Sequence, residues 1–406
     1  RSVAALALGA LLPLVAQGST KSVTPPATVV AGSPPVPFSD NSEVFGEGDR
    51  LLNITASSLY DAGVQQGTLA RSRIQSWLSG EEMSALFAFA TDDPRGSKAF
   101  NGLKRDNSAA FPELVQELVG IAEGAMVALD AVWVANLVAE LDPLLPDDVR
   151  AATVNSHCTD LYSHDANGGA IHGHNEDWSV EMQPLWYYLS LTAAPDATDF
   201  VSCAGLTYPG SQIAYAPAWN AEGIFQTQNT LFPSTTRDDG GLACNFVQRA
   251  ALCSASTTSL EAYLAKLNTS DWAAGASLNV VDTNTGSMAN AEVLLDGFDV
   301  YMVAPSSNYS HMNMFKHLQE GIAADLGEPS TVHRQARIDE LPAPTSTDDI
   351  AAILGDDDDS AYPIYRDITL TTSTLDATSG VLRVWAGHNP AETEPDFVWN
   401  IREWWP

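Results

Sequence analysis

The sequence predicts an α+β fold, with a helical front followed by a strand-rich body into which further helices are set. Two periodicities carry this reading. From about Glu47 to Leu145, apolar residues recur at helical spacing, as in Leu114, Leu118 and Ile121, and again in Val134, Val138 and Leu141. After Pro143 and Pro146 the pattern becomes short β-branched and aromatic runs separated by Gly, Asn, Asp and Pro, the signature of strands and turns.

In chain order, residues 1–18 hold an apolar run from Val3 to Ala16 with small residues after it, which reads as a secretory signal cut after Gly18. Residues 19–42 are rich in Pro, Ser and Thr and read as a linker. Residues 43–157 form the helical segment, in which Pro112 suits the first turn of a helix. Strands are expected around 154–162, 169–175, 185–192, 213–219, 223–229, 277–283, 289–295, 298–304, 368–375 and 381–386, with helices near 242–267, 313–325 and 346–354. The acidic run at 355–360 lacks the spacing of a calcium loop and reads as a solvated turn.

Composition excludes some functions. The 51 acidic residues against 19 basic give a formal charge of −32, which repels a phosphate backbone, so nucleic acid is not an expected partner. Beyond the signal, no segment is apolar enough to span a membrane. Sequons at Asn53, Asn268 and Asn308 agree with a secretory route and a secreted, lysosomal or vacuolar location. The four cysteines are Cys158, Cys203, Cys244 and Cys253. With Cys158 free, one of the other three stays reduced; a bridge from Cys244 to Cys253 or Cys203 is expected, and the sequence does not choose.

The chemistry concentrates in "NSHCTDLYSHDANGGAIHGHNEDW", Asn155 to Trp178. Asn167-Gly168 is a tight-turn signal between strand-like flanks, so the block reads as a hairpin with Cys158 near its start. Alternation puts His172 and His174 on one face, and Gly173 admits a close neighbour on the other. On residue types alone three readings stand: a polar hairpin with a buried cysteine, a metal site of His172, His174 and Asp177, or a nucleophilic Cys158. A nucleophilic thiol needs a base, either a nearby histidine or the cysteine's own α-amino group if the bond after His157 is cut.

The block resembles the penicillin acyltransferase-like family of N-terminal nucleophile amidohydrolases, related to bile-salt hydrolase and acid ceramidase. The matching residues are Cys158-Thr159, the turn Asn167-Gly168-Gly169, and Gly173-His174-Asn175-Glu176-Asp177. Stretches 60–67, 111–141, 218–233, 276–293, 310–315, 330–341, 362–367 and 370–390 resemble further family segments in the same order. The resemblance implies a four-layer αββα sandwich and self-cleavage between His157 and Cys158. A light chain within 43–157 and a heavy chain 158–406 would remain associated. His157 departs from the glycine common in relatives.

By the same resemblance, Cys158 attacks the substrate carbonyl while its freed amine acts as base, and Asp177 holds the cysteine and its amine. Asn313 and Asn229 stabilise the oxyanion, and Arg334 or Arg366 braces the nucleophile. His174 and Asn175 fall at substrate contacts; His174 replaces an arginine or glutamine of the relatives. The implied reaction is cleavage of a linear, non-peptidic small-molecule amide through an acyl-enzyme, or acyl transfer to an amine, without a cofactor. Two other classes remain distinct in their consequences. A metal hydrolase would be silenced by chelator and survive Cys158→Ala, and an inactive binding protein on the same scaffold would show neither self-cleavage nor thiol reactivity.

Overall fold

The computed structural model describes residues 50–146 and 158–405, except Thr235, Ser270 and Leu326. The signal, the linker and His157 lie outside the described residues. Strand β1 (Leu51–Ala56) precedes helices α1 (Leu59–Leu69), α2 (Arg71–Ser79), α3 (Glu81–Asp92), α4 (Pro94–Ala110), α5 (Pro112–Ala125), α6 (Leu129–Ala135) and α7 (Val138–Leu141). The body begins with β2 (Thr159–His164), β3 (Ala170–Asp177), β4 (Tyr187–Ala193), β5 (Cys203–Thr207), β6 (Ala218–Asn220) and β7 (Ile224–Thr230). Helices α8 (Cys244–Leu252) and α9 (Leu260–Leu267) lead to β8 (Ala276–Asp282), β9 (Ser287–Leu294), β10 (Gly297–Met302) and β11 (Tyr309–His311). Helices α10 (Gln319–Ala324), α11 (Pro329–Glu340) and α12 (Thr347–Leu354) precede β12 (Thr369–Asp376), β13 (Val381–Trp385) and β14 (Phe397–Asn400).

The strands form two sheets, one in the order β1-β4-β5-β6-β7-β8-β9-β10 and the other β11-β2-β3-β12-β13-β14. Side-chain alternation shows how they stack. On β7, Thr227 and Asn229 reach Asp160 of β2 in the other sheet, while Gln226 and Gln228 turn to Tyr263 of α9 and Gln248 of α8. On the far side of the smaller sheet, Leu161 and Ile171 pack with Ile350, Ile353 and Leu354 of α12. The order of layers is therefore helix, sheet, sheet, helix, the αββα arrangement. Between the sheets lies a hydrogen-bonded interior: Asn290 donates to Asn279 Oδ1 at 2.7 Å, Asn279 to Asn229 Oδ1 at 2.8 Å, and Tyr162 Oη to Asn279 Oδ1 at 2.7 Å.

The helical front departs from its expected pattern at both ends. Its first element is a strand, β1, which pairs in parallel with β4 from Leu51 beside Tyr188 to Ala56 beside Ala193. The stripe Val134, Val138, Leu141 is split between α6 and α7. Asn136 ends α6 there, donating to Gly210 O at 2.9 Å and accepting from Gln212 N and Asn245 Nδ2. Pro112 does open α5, whose Leu114, Leu118 and Ile121 are buried. Helices α1 and α5 meet through Gly63, Gly67, Gly120 and Gly124; a Cβ on Gly63 would lie 2.1 Å from Glu117 O, so only glycine allows this backbone contact.

Strands β5, β11 and β14 join those expected, and the stretch at 213–219 contributes only Ala218–Asn220. The acidic run is the expected turn, with Asp357, Asp358 and Ser360 exposed; Asp356 and Asp358 both accept from Arg337 Nη2. Among the described residues no single helix is long and apolar enough to cross a membrane.

Candidate active site

The hairpin at the head of the body is built as its residues suggest. Asp165 Oδ1 accepts from Asn167 N and Gly169 N at 2.8 Å, and Gly168 adopts φ +87°. The resulting register sets Asp160 opposite His174 and Thr159 opposite Asn175. Period-two alternation sends Asp160, His172, His174 and Glu176 toward the larger sheet, and Gly173 and Asn175 toward α12. A Cβ on Gly173 would come 2.2 Å from Ile350 Cγ2, so the close neighbour at this glycine is α12.

Cys158 sits immediately before β2 with 3% of its surface exposed. Its main chain is gripped by Arg334, whose Nη1 donates to Cys158 O and to Thr159 Oγ1, both at 2.7 Å. Arg334 lies on the buried face of α11 with Ser330 and Thr331, and its Nη2 donates to Asn313 Oδ1 at 2.9 Å. Asp177, at the end of β3, accepts from Thr369 Oγ1 at 2.6 Å and from Arg366 Nη2. The two arginines thus divide the work: Arg334 holds the cysteine and Arg366 the aspartate. Burial, then the neighbouring Arg366, bring the Arg334 guanidinium down to about 9.

The thiol's closest polar neighbours are acidic and cationic. Cys158 Sγ lies 3.7 Å from Glu176 Oε1, which also accepts from Tyr208 Oη. Burial, and then Glu176, push the Cys158 thiol up to about 12. A buried thiol at that level is a poor nucleophile, so a catalytic role for it would require a group that takes its proton.

His174 is held between two carboxylates, Nδ1 at 2.8 Å from Asp160 Oδ2 and Nε2 at 2.9 Å from Glu176 Oε2. Ionised carboxylates only accept, so both ring nitrogens carry protons and His174 is an imidazolium. Burial opposes that charge, but Asp160 outweighs it and holds the imidazolium well above the ordinary histidine range. Asp160 moves the opposite way: burial would raise it, yet His174 and His172 keep it below the usual carboxylate range.

Of the remaining expected residues, Asn313 gives one N–H to Thr230 O at 2.8 Å, and Asn229 gives one to Asp160 Oδ2 at 2.7 Å. Asn175 faces away from His174; its amide donates to Leu354 O at 2.9 Å and Ile364 O at 3.2 Å and accepts from Thr372 Oγ1. Those partners tie β3 to α12 and β12, so packing rather than an open binding surface occupies this side chain. His172, His174 and Asp177 do not converge, because Asp177 leaves the histidine face to join Arg366 and Thr369. Among the described residues, the ligating group that does converge is Cys158, His174 and Glu176, with donor atoms all within 4.8 Å of one another.

Asp160, Glu176, Tyr208 and Thr227 join the site beyond the residues expected from the sequence. Asp160 carries a local signal, lying two residues after Cys158 and opposite His174 in the hairpin. Tyr208 and Thr227 carry no local signal, since only the stacking of the sheets brings them in. The bridge also differs from expectation: Cys203 of β5 pairs with Cys253, just after α8, with a Cα–Cα distance of 5.8 Å. Cys244 stays reduced at the start of α8, buried beside Glu140, whose carboxylate accepts from its amide at 2.8 Å.

A stacked pair of sheets with a braced cysteine at the head of an inner strand describes the N-terminal nucleophile class, enzymes that act on carbon–nitrogen amide bonds as hydrolases or acyltransferases. The chain belongs to the acyl-coenzyme A:6-aminopenicillanic acid acyl-transferase family, whose model matches residues 165–381, just over half of it. That span begins after Cys158 and includes Asp177, Asn229, Asn313, Arg334 and Arg366. The β-alanyl-dopamine/carcinine hydrolase of Drosophila melanogaster is 22% identical over 373 residues, covering 84% of this chain and 93% of that protein. Among solved structures, a Caenorhabditis elegans N-acylethanolamine-hydrolyzing acid amidase ortholog aligns with a TM-score of 0.41 and 11% identity, over 60% of this chain and 100% of that one. Penicillin V acylase from Agrobacterium tumefaciens aligns with a TM-score of 0.38 and 13% identity, over 61% and 87% respectively.

Proposed function

We propose that the chain cuts itself between His157 and Cys158 and then cleaves linear, non-peptidic amides, such as N-acyl or β-alanyl amines, through a thioester on Cys158. The observation that carries this reading is the paired bracing of Cys158 by Arg334 and of Asp177 by Arg366. A side chain that only packed a hairpin would not need a buried guanidinium at Arg334 and a second, partly buried one at Arg366. The β-alanyl class is suggested by the Drosophila relative's name.

In the proposed reaction Cys158 Sγ attacks the amide carbonyl as its proton passes to the freed α-amine, which Asp177 orients. The C–N bond then breaks, and the amine leaves with that proton. Asn313 and Asn229 each have a second N–H beyond those spent on Thr230 and Asp160, and these are the proposed oxyanion donors. Water resolves the thioester in a hydrolase, and an amine resolves it in an acyltransferase. His174 supports the thiolate as a nearby cation and is not the base.

The two pieces are proposed to stay together because β1 pairs in register along β4 as the edge strand of the larger sheet. A secretory route, ending outside the cell or in a lysosome or vacuole, is supported by the Cys203–Cys253 bridge and by exposed side chains at Asn53, Asn268 and Asn308, the proposed glycan sites. Incubation with N-acyl and β-alanyl amines tests the activity. The expected result is amine release with an acyl mass on the peptide carrying Cys158, both lost in Cys158→Ala. Amine release that survives Cys158→Ala would overturn the assignment.

A further inference from the structure

The group at the start of β2 and along β3 has a capacity that amide chemistry does not use. Cys158 Sγ, a ring nitrogen of His174 and a carboxylate oxygen of Glu176 lie within 4.8 Å of one another, and all three residues are buried. Thiolate, imidazole and carboxylate together suit a borderline-soft divalent cation, Zn2+ above all, whereas Ca2+ and Mg2+ require oxygen ligands.

Each donor also has a supporting partner. Asp160 Oδ2 receives the Nδ1 proton of His174 at 2.8 Å, the carboxylate–histidine pairing that leaves Nε2 to face a metal. Tyr208 Oη donates to Glu176 Oε1, and Arg334 fixes the main chain of Cys158. Asp160 is itself held by Thr227 and by Asn229, so the imidazole is anchored at its rear. Nε2 now faces Glu176 Oε2 at 2.9 Å, and a cation entering between them would replace the shared proton.

We propose that Cys158 Sγ, His174 Nε2 and the Glu176 carboxylate form a Zn2+ site that reversibly blocks the nucleophile. Binding releases two protons, one from the thiol and one from Nε2, and the ion takes the freed sulfur and nitrogen lone pairs. The sulfur is then no longer available to attack a carbonyl. This consequence rests on the reading of Cys158 as the nucleophile, but the coordination itself does not. Once the chain is cut, the α-amine of Cys158 adds a fourth donor and closes a five-membered chelate through its own thiolate, so the processed form binds more tightly than the intact one.

The test is equilibrium dialysis of chelator-stripped, full-length protein against ZnCl2, with CaCl2 as control. About one zinc per chain is expected to be retained, none of it in Cys158→Ala, and retention should weaken roughly ten-fold or more in Glu176→Gln and His174→Gln. Two readings on the wild-type protein avoid any dependence on variants that fail to fold. Zinc should slow alkylation of Cys158 by iodoacetamide, with recovery on adding EDTA, and CoCl2 in place of zinc should give thiolate-to-metal charge-transfer absorption. Unchanged retention in Cys158→Ala, or unchanged alkylation at saturating zinc, overturns the proposal. A chain that binds zinc but is neither cut nor active would sink the amidase reading alone. A cut, active chain indifferent to zinc would sink this one alone.

Discussion

Arg334 donates to the carbonyl oxygen of Cys158 at 2.7 Å, across 176 residues of chain. The same guanidinium reaches Thr159 and Asn313, so one side chain sets the positions of the proposed nucleophile and of a proposed oxyanion donor. Removing it takes a donor from Cys158 O, Thr159 Oγ1 and Asn313 Oδ1, and also from Ser330 and Thr331, in a buried setting. Arg334→Met should lower stability by about 3 kcal/mol, with activity falling more than stability explains. Arg334→Lys keeps a cation but loses the fork and should recover only part of either. Chemical denaturation beside steady-state kinetics checks both.

The charge on His174 has a pH signature. Its folded pKa is raised, so the stability it contributes is complete below the unfolded value of about 6.5 and disappears as pH climbs through the folded value. Asp160 is depressed, so its contribution is present above about 3.9 and disappears as pH falls through its folded value. The stability gap between Cys158→Ala and the double variant with His174→Gln should therefore be widest from about pH 4 to 6.5 and narrow on the alkaline side. Urea unfolding across pH measures it on an uncut background. A gap that widens toward alkaline pH would contradict the imidazolium.

Thiol counting tests the cysteine assignments. Protein denatured without reductant should react at two thiols, Cys158 and Cys244, and at four after reduction. Opening the bridge with Cys203→Ser frees a loop with a sequence separation of 50 and should cost about 4 kcal/mol by loop entropy.

Gly173 is closed to any side chain by α12. Gly173→Ala drives a Cβ into Ile350 and Leu354 and should cost about 1–3 kcal/mol of overpacking. Ile350→Ala makes room for that Cβ, so it should destabilise Gly173→Ala by less than it destabilises the wild type. Equal losses in the two backgrounds would contradict the contact.

Local signals explain what was readable beforehand. The hairpin, its turn at Asn167-Gly168, the shared face of His172 and His174 and the close approach at Gly173 all follow from residue types a few positions apart. Relations across the fold were hidden. β1 sits in a helical stretch and is a strand because β4, more than a hundred residues later, accepts it. The helical stripe at Val134 breaks at Asn136 because distant Gly210 and Gln212 supply partners that a helix would forgo. Cys203 meets Cys253 rather than Cys244 because the end of α8, not its start, lies beside β5. At the site, Asp177 belonged to a recognisable block, whereas Tyr208 and Thr227 reach it only through tertiary contacts.

The central claim is that Cys158 becomes a chain terminus. Denaturing electrophoresis with N-terminal sequencing of wild-type protein beside Cys158→Ala tests it most directly. The wild type should yield a heavy fragment beginning Cys-Thr-Asp, and the variant an intact chain. An intact wild-type chain, or a fragment beginning elsewhere, would contradict it.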